Sequence, residues 1–221
     1  MAGFKGKIIT IEGSDGSGKK TQTKLLVEKA TIHKFPVATM SFPRYGAPSS
    51  QKIKDYLEGK FGDIRSVDPK FVIKLYADDR LAVKNEILKH LEEGRNLIFD
   101  RWIESNMGHQ ASKFSKQDRQ TIVDYIRKLE VEQNGLSESD LVVYLHLPTE
   151  WVQKAMEEEG RKKDLHENDI EYLKCVEETY EWLARTNKNW VRIECLVNGK
   201  RLSIEEVHQK IWEIVEPILV K

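Results

Sequence analysis

The sequence predicts an α/β fold built as a doubly wound, five-stranded parallel sheet. Five short, mostly apolar segments alternate with stretches whose apolar residues recur at helical spacing, which is typical of a parallel sheet covered by helices on both faces. A glycine-rich loop stands between the first strand and the first helix. The third observation is size, because 221 residues suit a single core. We therefore expect one domain over residues 1–221.

Strands and helices alternate along the whole chain. The predicted strands are Lys7–Glu12, Val37–Phe42, Asn96–Asp100, Leu141–Leu147 and Trp190–Cys195. The predicted helices are Lys19–Ile32, Ser49–Glu58, Pro69–Glu93, Ile103–Ala111, Lys116–Glu132, Thr149–Glu158, Glu167–Asn187 and Ser203–Leu219. Ligands of such sheets bind beyond the carboxyl ends of the strands, so the residues that follow strands are the first candidates for a site.

The loop after the first strand has the composition of a phosphate-binding loop. Its glycines let backbone N–H groups turn toward anionic oxygens, and the next helix directs its positive end at them. Lys19 would reach the β- and γ-phosphates of a nucleotide. The motif normally continues with a hydroxyl residue that binds Mg²⁺, but Lys20 stands there and the first hydroxyl is that of Thr21. The alternative is a glycine-rich turn without a ligand. The residues predicted to bind ATP are Gly13, Ser14, Asp15, Gly16, Ser17, Gly18, Lys19, Lys20 and Thr21.

Charged residues follow the second and third predicted strands. Arg44 comes just after Val37–Phe42, and Arg101 comes directly after Asn96–Asp100. Because these strand ends meet at the mouth of one site, the two arginines could hold a second phosphate group bidentately. Asp100 ends the third strand, where a carboxylate often helps to hold the metal of a nucleoside triphosphate. The alternatives are two surface arginines and an aspartate that only caps the next helix.

A short basic segment near residues 159–168 joins two predicted helices. It contains Gly160 and Arg161, followed by two lysines. Such a segment can close over transferring phosphates as a lid, and an arginine is always charged and can bind two phosphate oxygens at once. The alternative is an exposed turn with ordinary surface charges. The nearby His166 and Glu167 match no metal-binding spacing.

Tyr76 and Arg80 lie four residues apart in the third predicted helix, and therefore on one face of it. An aromatic ring beside a hydrogen-bond donor can stack on a nucleotide base and bind its edge. A tyrosine at the edge of the core next to a solvated arginine is the alternative interpretation.

Composition excludes several classes of protein. The chain has 36 basic and 36 acidic residues, and this balance argues against a protein that binds polymeric nucleic acid or a membrane surface. No apolar run approaches the ~20 residues of a membrane span, and the first residues do not resemble a signal peptide. The two cysteines match no metal spacing and suit a reducing cytosol.

With these residues in view, the chain resembles the thymidylate kinases, phosphate-loop enzymes that convert dTMP to dTDP with ATP. The likeness runs from Ile8 to the C-terminal helix. Many kinases share a phosphate loop, whereas Asp15 and the two arginine motifs are more specific to this family. The matching stretches are Glu12–Gln22, Phe42–Arg44, Asp100–Trp102, Ser105–Gln110 and Asp140–Tyr144.

The resemblance implies roles at the phosphate end of the site. Asp15 would face the sugar 3′-hydroxyl, and Arg44 and Arg101 would hold the phosphate of dTMP. The family has one version with an arginine in the phosphate loop and another with an arginine in the lid. Gly16 in the loop and Arg161 in the basic segment make this chain similar to the second version. The predicted catalytic residues are Asp15, Lys19, Arg101 and Arg161.

The resemblance also implies roles at the base end. Tyr76 falls where the family has an aromatic that stacks on thymine, and Arg80 falls where an arginine bonds the base. Ser105 and Gln110 lie where the family places polar groups near the base. Together these four residues are the predicted base-binding group.

We therefore predict a thymidylate kinase of the phosphate-loop nucleoside-monophosphate kinase fold, with a short helical lid. It would bind ATP and dTMP, use Mg²⁺ with Asp100 as a candidate ligand, and work as a homodimer in the cytoplasm. One rival is a kinase for another nucleoside monophosphate or for a deoxynucleoside. The other is a nucleotide-binding regulator without turnover, which only Lys20 motivates.

Overall fold

A computed structural model describes residues 6–63, 66–152, 154 and 169–220. Its centre is a five-stranded sheet of β1 to β5 in the order β2-β3-β1-β4-β5, and all neighbouring pairs are parallel. The predicted fold class and all five predicted strands are confirmed, and no strand end differs from its prediction by more than one residue. The strands are β1 Ile8–Gly13, β2 Val37–Ser41, β3 Asn96–Asp100, β4 Leu141–His146 and β5 Trp190–Glu194.

Helices cover both faces of this sheet. The described α-helices are α1 Lys19–Ile32, α2 Gln51–Leu57, α3 Pro69–Leu81, α4 Lys84–Glu92, α5 Ile103–Ala111, α6 Arg119–Arg127, α7 Ile170–Thr186 and α8 Ile204–Leu219. A short 3₁₀ turn over Pro48–Ser50 precedes α2, and a π-helical turn over Lys128–Gln133 extends α6. Half of the helix predicted at 149–158, and the predicted lid near 159–168, lie outside the described residues.

The single helix predicted over Pro69–Glu93 is wrong, because the chain bends at residues 82 and 83 into α3 and α4. The Val83 amide donates to the Arg80 carbonyl in a tight turn. The bend turns Val83, Ile87 and Leu91 into the core. Their apolar spacing continues that of α3, so periodicity alone did not reveal the break.

A small antiparallel hairpin between β5 and α8 was also not predicted. Its strands are β6 Leu196–Val197 and β7 Lys200–Arg201, joined by Asn198 and Gly199 with φ of 52° and 72°. Asn-Gly is the turn sequence that accepts two left-handed residues in succession. The hairpin places Arg201 at the edge of the phosphate loop.

The central strand divides the core into two layers. Along β1, Ile8 packs among the helices of one face, whereas Ile9 and Ile11 pack against α1 and α8 on the other. This alternation follows from the two-residue period of a strand. Thr10, buried between them, shares a 2.7 Å hydrogen bond with Ser139, so its hydroxyl is satisfied inside the core. The phosphate loop therefore follows a strand whose residues are all buried.

Candidate active site

The phosphate loop connects β1 to α1 as predicted. Gly13 has φ 148°, and a Cβ there would lie 2.6 Å from the Leu145 carbonyl oxygen, so only glycine fits this crossing. Lys19 is buried, and its Nζ donates to the Ser14 carbonyl at 2.8 Å and lies 3.3 Å from Asp15 Oδ1. Burial, together with the charge of Arg101, lowers the pKa of the Lys19 ammonium. The lysine is therefore held at the bottom of the loop.

Arg101 enters the same cavity directly after β3. Its backbone is left-handed, with φ 68°, which turns the side chain back across the end of β1. Its Nη2 donates to Asp15 at 2.8 Å, and its Nη1 donates to Ser105 at 3.2 Å. Packing around Asp15 acts to raise the pKa of its carboxyl, but the charges of Arg101 and Lys19 outweigh this and hold that pKa well below its usual range. Asp15 is therefore an anion between two cations.

A fully buried carboxylate, Glu12, supports the turn that carries Arg101. Its oxygens accept from the Trp102 amide at 3.0 Å, from the Ser105 hydroxyl at 2.7 Å and from the Tyr180 hydroxyl at 2.9 Å. Arg101 Nη1 lies 4.0 Å from it. Burial raises the pKa of Glu12, although Arg101 and these donors act against the rise. Glu12 therefore supports the backbone at Arg101 and Trp102.

The predicted metal residue, Asp100, also lines the cavity. Its Oδ1 is buried without a hydrogen-bond partner among the described residues, as is the Ser17 hydroxyl in the phosphate loop. An unpaired carboxylate oxygen is the type of group that a hard divalent cation takes as a ligand. The described residues contain no preformed cluster of three or more metal-ligating side chains. The site therefore fits a metal held mainly by nucleotide oxygens, with one carboxylate from the chain.

Arg44 stands slightly apart from this group. Its Nη2 donates to the Ser49 hydroxyl at 2.8 Å, and its Nε lies 3.5 Å from the buried Asp79 carboxylate. Asp79 also accepts from the backbone N–H of Arg44 at 2.8 Å. Its neighbours Phe42, Pro43 and Tyr45 line the cavity beside Arg101. Arg44 itself does not line the cavity, and its predicted contact with a substrate phosphate stays a prediction.

The other end of the cavity is built around Arg80, which is 1 % exposed and therefore not the solvated arginine of the alternative interpretation. Two of its nitrogens form a bidentate ion pair with the buried carboxylate of Glu130, with Nη2 at 2.7 Å. Asn106 Nδ2 donates to Glu130 at 2.9 Å and to the Ile73 carbonyl at 3.1 Å. These contacts fix the Arg80 plane, and its Nη1 lies 3.3 Å from the Trp102 carbonyl.

Unpaired amide groups lie beside Arg80. Both polar atoms of the buried Gln110 side chain and the Oδ1 of Asn106 have no hydrogen-bond partner among the described residues. Tyr76, half-buried, lines the cavity with them. Buried polar atoms nearly always have a hydrogen-bond partner, so these unpaired amide atoms can bind a polar planar ligand. Ser105 lines the cavity too, but its hydroxyl donates to Glu12.

A third wall comes from the C-terminal part of the chain. Arg201 Nη2 donates to the Gly16 carbonyl of the phosphate loop at 2.7 Å. The Gln22 side chain of α1 donates to the Ile204 carbonyl at the start of α8. The cavity enclosed by these walls has a volume of about 590 Å³, within the range of small-molecule sites. Lys20 and Thr21 line it as well.

The cavity thus joins most of the predicted site residues. Gly13, Ser14 and Arg44 do not line it, and Arg161 lies outside the described part of the chain. Sequence reasoning missed Glu12, Asn106, His109, Glu130 and Arg201 as members of the site or its support. Asn106 and His109 could have been found from their spacing in the helix. Asn106 lies four residues before Gln110 and His109 four residues after Ser105, so each shares a helix face with a predicted site residue. Glu130 and Arg201 come from distant segments without a motif.

A phosphate loop after the central strand of a parallel sheet, facing an arginine from the next strand end and a polar pocket, defines a phosphate-loop nucleotide kinase. The family model described as Thymidylate kinase matches residues 11–211. The chain belongs to the thymidylate kinase family, and the predicted family and enzyme class are therefore confirmed.

Relatives of known family agree along nearly the whole chain. The thymidylate kinase of Caldanaerobacter subterraneus subsp. tengcongensis is 30% identical over 219 residues, which cover 98% of each chain. That of Dictyostelium discoideum is 26% identical over 96% of this chain and 86% of that protein. Among solved structures, thymidylate kinase from Candida albicans superposes with a TM-score of 0.74 at 25% identity, covering 97% of this chain and 92% of that one.

Proposed function

We propose that this chain transfers the γ-phosphoryl group of ATP to dTMP and releases dTDP and ADP. The observation that carries the proposal is the continuous cavity that runs from the phosphate loop to the unpaired amide groups of Gln110 and Asn106. A triphosphate would bind the phosphate loop at one end, and a base would bind the unpaired amide atoms at the other. Family membership supplies the nucleotide type.

The base end is complementary to thymine in its donors and acceptors. Thymine offers two carbonyl oxygens and one N–H, so it needs donors with an acceptor between them. Arg80 and the Gln110 amide nitrogen are donors, and Asn106 Oδ1 or Gln110 Oε1 supplies the acceptor. Tyr76 is proposed to stack on the ring. A hydrogen-bonded base edge also discriminates against analogues that lack the matching groups.

The phosphate end supplies positive charge where the transition state spreads negative charge. Arg101 and Arg44 are proposed to hold the phosphate of dTMP, and Lys19 the β- and γ-phosphates of ATP. The nucleophile is a phosphate oxygen that is already anionic near neutral pH, so no strong general base is needed. Asp15, held as an anion, is proposed to accept from the sugar 3′-hydroxyl. Positioning and charge neutralisation then supply the rate.

A magnesium ion bound to ATP would neutralise part of the phosphate charge. The unpaired Asp100 oxygen would hold it, directly or through water. Lys20 cannot ligate a metal, because an ammonium has no lone pair to give. Arg161 is proposed as the mobile cation of a lid, on the strength of the family likeness and of the loop residue Gly16.

Two further properties are proposed from the family and from composition. The chain would act as a homodimer, and it would work in the cytoplasm, which suits its two cysteines without a disulfide. Within the part of the chain that the structure describes, no helix has the length and apolar character needed to cross a membrane.

A coupled assay with ATP across dTMP, dUMP, dCMP, dGMP and AMP tests the proposal. We expect dTMP to be the best acceptor, with dUMP slower by about 10- to 200-fold for the loss of one methyl group. Purine monophosphates should react far more slowly. AMP or dGMP as the best acceptor would favour the rival nucleoside-monophosphate kinase, and binding of both nucleotides without turnover would favour the regulator. The panel is informative because the Candida albicans enzyme is described as broad in substrate specificity.

A further inference from the structure

His109 lies in the wall of the cavity, eight positions after Arg101 and on the inner face of α5. Its Nε2 is 3.2 Å from Arg101 Nη1, and its Nδ1 is 2.9 Å from the Tyr172 hydroxyl oxygen of α7. The Tyr172 hydroxyl lies 3.3 Å from the His109 carbonyl oxygen, to which it donates. The imidazole therefore connects the phosphate-end arginine to a second helix.

The contact with Arg101 shows which nitrogen of His109 accepts. A guanidinium has five N–H groups and no acceptor, so Arg101 must donate to Nε2. Nδ1 is then the nitrogen that faces the Tyr172 hydroxyl oxygen. The Tyr172 hydroxyl also donates to the His109 carbonyl, so α7 contacts both the ring and the backbone of this residue.

The ring itself is held by aromatic neighbours. Its centroid lies 6.1 Å from the Tyr172 ring and 6.0 Å from the Tyr180 ring, and the second contact is edge-on at 88°. Tyr180 donates to Glu12, which supports the Arg101 turn. His109 and Glu12 therefore approach Arg101 from separate elements, while Asp15 binds its other nitrogen.

Arg101 is held between the phosphate loop and α5. Its Nη2 forms a charged pair with Asp15, while on α5 the Ser105 hydroxyl, which itself donates to Glu12, and His109 Nε2 each lie 3.2 Å from Nη1. Contacts on both sides fix the plane of the guanidinium, because the group is rigid. Its remaining N–H groups then face the cavity in a set direction. Such preorganisation reduces the cost of binding a phosphate.

We propose that His109 is a positioning residue for phosphoryl transfer, which accepts a hydrogen bond from Arg101 and directs it toward the phosphate of the nucleoside monophosphate. The inference rests on the proposed role of Arg101 in that site. It does not depend on which base the substrate carries. His109 itself needs no contact with the transferred group.

Replacement of the acceptor tests the proposal. His109→Phe keeps an aromatic ring but removes both nitrogens, whereas His109→Gln keeps an oxygen at about the reach of Nε2. A hydrogen bond to a charged group contributes enough for about a tenfold change in affinity. We expect His109→Phe to raise the dissociation constant of dTMP about tenfold and to lower kcat, with ATP affinity within twofold of the unmodified protein. His109→Gln should recover most of the dTMP affinity.

Titration calorimetry with dTMP and with ATP, together with steady-state kinetics and thermal melting, reads these outcomes. His208→Phe, a histidine of α8 away from the cavity lining, is the matched control and should leave both affinities unchanged. Tyr172→Phe removes the partner of Nδ1 and should give a smaller loss of dTMP affinity, of about threefold.

Unchanged dTMP affinity in His109→Phe would overturn the inference. Equal losses for dTMP and ATP with a lower melting temperature would also overturn it, because they indicate a structural residue. Failure of His109→Gln to recover affinity would show that the acceptor is not what matters. If the substrate panel selects another monophosphate, the proposed function fails in its base specificity, and the same variants are then compared with that monophosphate.

Discussion

Two arginines define the two ends of the cavity, and the structure holds them in different ways. Arg101 is paired with Asp15, an anion that a bound phosphate can replace as its partner. Arg80 forms a buried bidentate pair with Glu130. A ligand that displaced Glu130 would leave an isolated charge buried. The phosphate end is therefore prepared for exchange of ionic partners, whereas the base end is a fixed template. We therefore expect substitutions at the phosphate end to reduce activity and substitutions at the base end to reduce the free energy of unfolding.

The largest expected effect is at the phosphate end. Arg101→Gln keeps a long side chain on the left-handed backbone but removes the charge, and we expect kcat/KM for dTMP to fall by about 10³-fold or more. The melting temperature should change little, because Arg101 faces the cavity. Steady-state kinetics and a thermal melt test this, with the exposed Arg95→Gln as the control. A loss below tenfold would contradict the assignment of Arg101.

At the base end the comparison predicts a loss of stability. Glu130→Ala leaves the Arg80 charge buried without its partner, and the free energy of unfolding should fall by about 3–5 kcal/mol. Urea unfolding monitored by circular dichroism measures it. Glu132→Ala, an exposed residue of the same π-helical turn, should change the free energy of unfolding by less than about 0.5 kcal/mol. Equal values for the two variants would remove the distinction between the ends.

A third carboxyl, that of Glu104, is buried outside the cavity lining and accepts from the Ser139 amide. Glu104 in α5 is buried, and its Oε2 has no partner among the described residues. Burial, reinforced by the charge of Glu12, raises the Glu104 pKa from its usual value of 4.5 to about 7. Because the folded state then binds the proton more tightly, its contribution is complete below pH 4.5 and is lost as pH rises to about 7. The shift corresponds to about 3 kcal/mol.

Glu104→Gln keeps the shape of the side chain and cannot ionise. We expect the free energy of unfolding of the unmodified protein to fall relative to this variant between pH 5 and pH 7, as measured by urea unfolding at each pH. Parallel pH profiles would show that Glu104 does not titrate in this range. Glu12 is the nearest coupled carboxyl, so the profile also tests how independent the phosphate end is.

A smaller effect is expected from the rim of the base end. Tyr76→Ala should weaken dTMP binding by about 1–3 kcal/mol through lost stacking, taking base stacking on aromatic residues as the guide. ATP affinity should not change, because the phosphate loop is formed by other elements. Fluorescence or calorimetric titration with each nucleotide decides this. Equal weakening for both would identify Tyr76 as a packing residue of the core.

The smallest effect is expected at Lys20. Lys20→Ser places the usual hydroxyl next to the phosphate loop, and activity should be retained at a lower Mg²⁺ requirement. Thr21 lines the cavity but is about 100° further around α1, so it does not replace that hydroxyl. A Mg²⁺ titration of the initial rate measures the shift. An unchanged titration would show that position 20 does not approach the metal.

The sequence predicted the sheet and the phosphate loop because both depend on local pattern. Strand periodicity, glycine spacing and the positions of arginines after strands can be read from neighbouring residues. The break after α3 could not be predicted, since Val83, Ile87 and Leu91 continue the apolar spacing of the helix before them. At the break the Val83 amide donates to the carbonyl of Arg80, whose side chain pairs with Glu130, 50 residues away.

The same limit applies to the site. Motifs located Lys19 and Arg101, but not the residues that orient them. His109 contacts Tyr172 across 63 residues, and Glu12 contacts Tyr180 across 168. Such supports are set by the packing of α7 against α5 and β1, and no sequence spacing predicts them. The role predicted for Arg161 concerns a segment outside the described residues and stays a prediction.

The contacts of the hairpin have a consequence for synthesis of the chain on the ribosome. Arg201 binds the Gly16 carbonyl, and Gln22 binds the Ile204 carbonyl, so the first loop to be made is completed by residues about 180 positions later. β1 also lies between β3 and β4, which are translated long after it. A nascent chain that ends before the hairpin therefore lacks one wall of its nucleotide cavity. ATP binding is expected only once the last helix has emerged, so nucleotide can stabilise the finished protein but cannot guide its early folding.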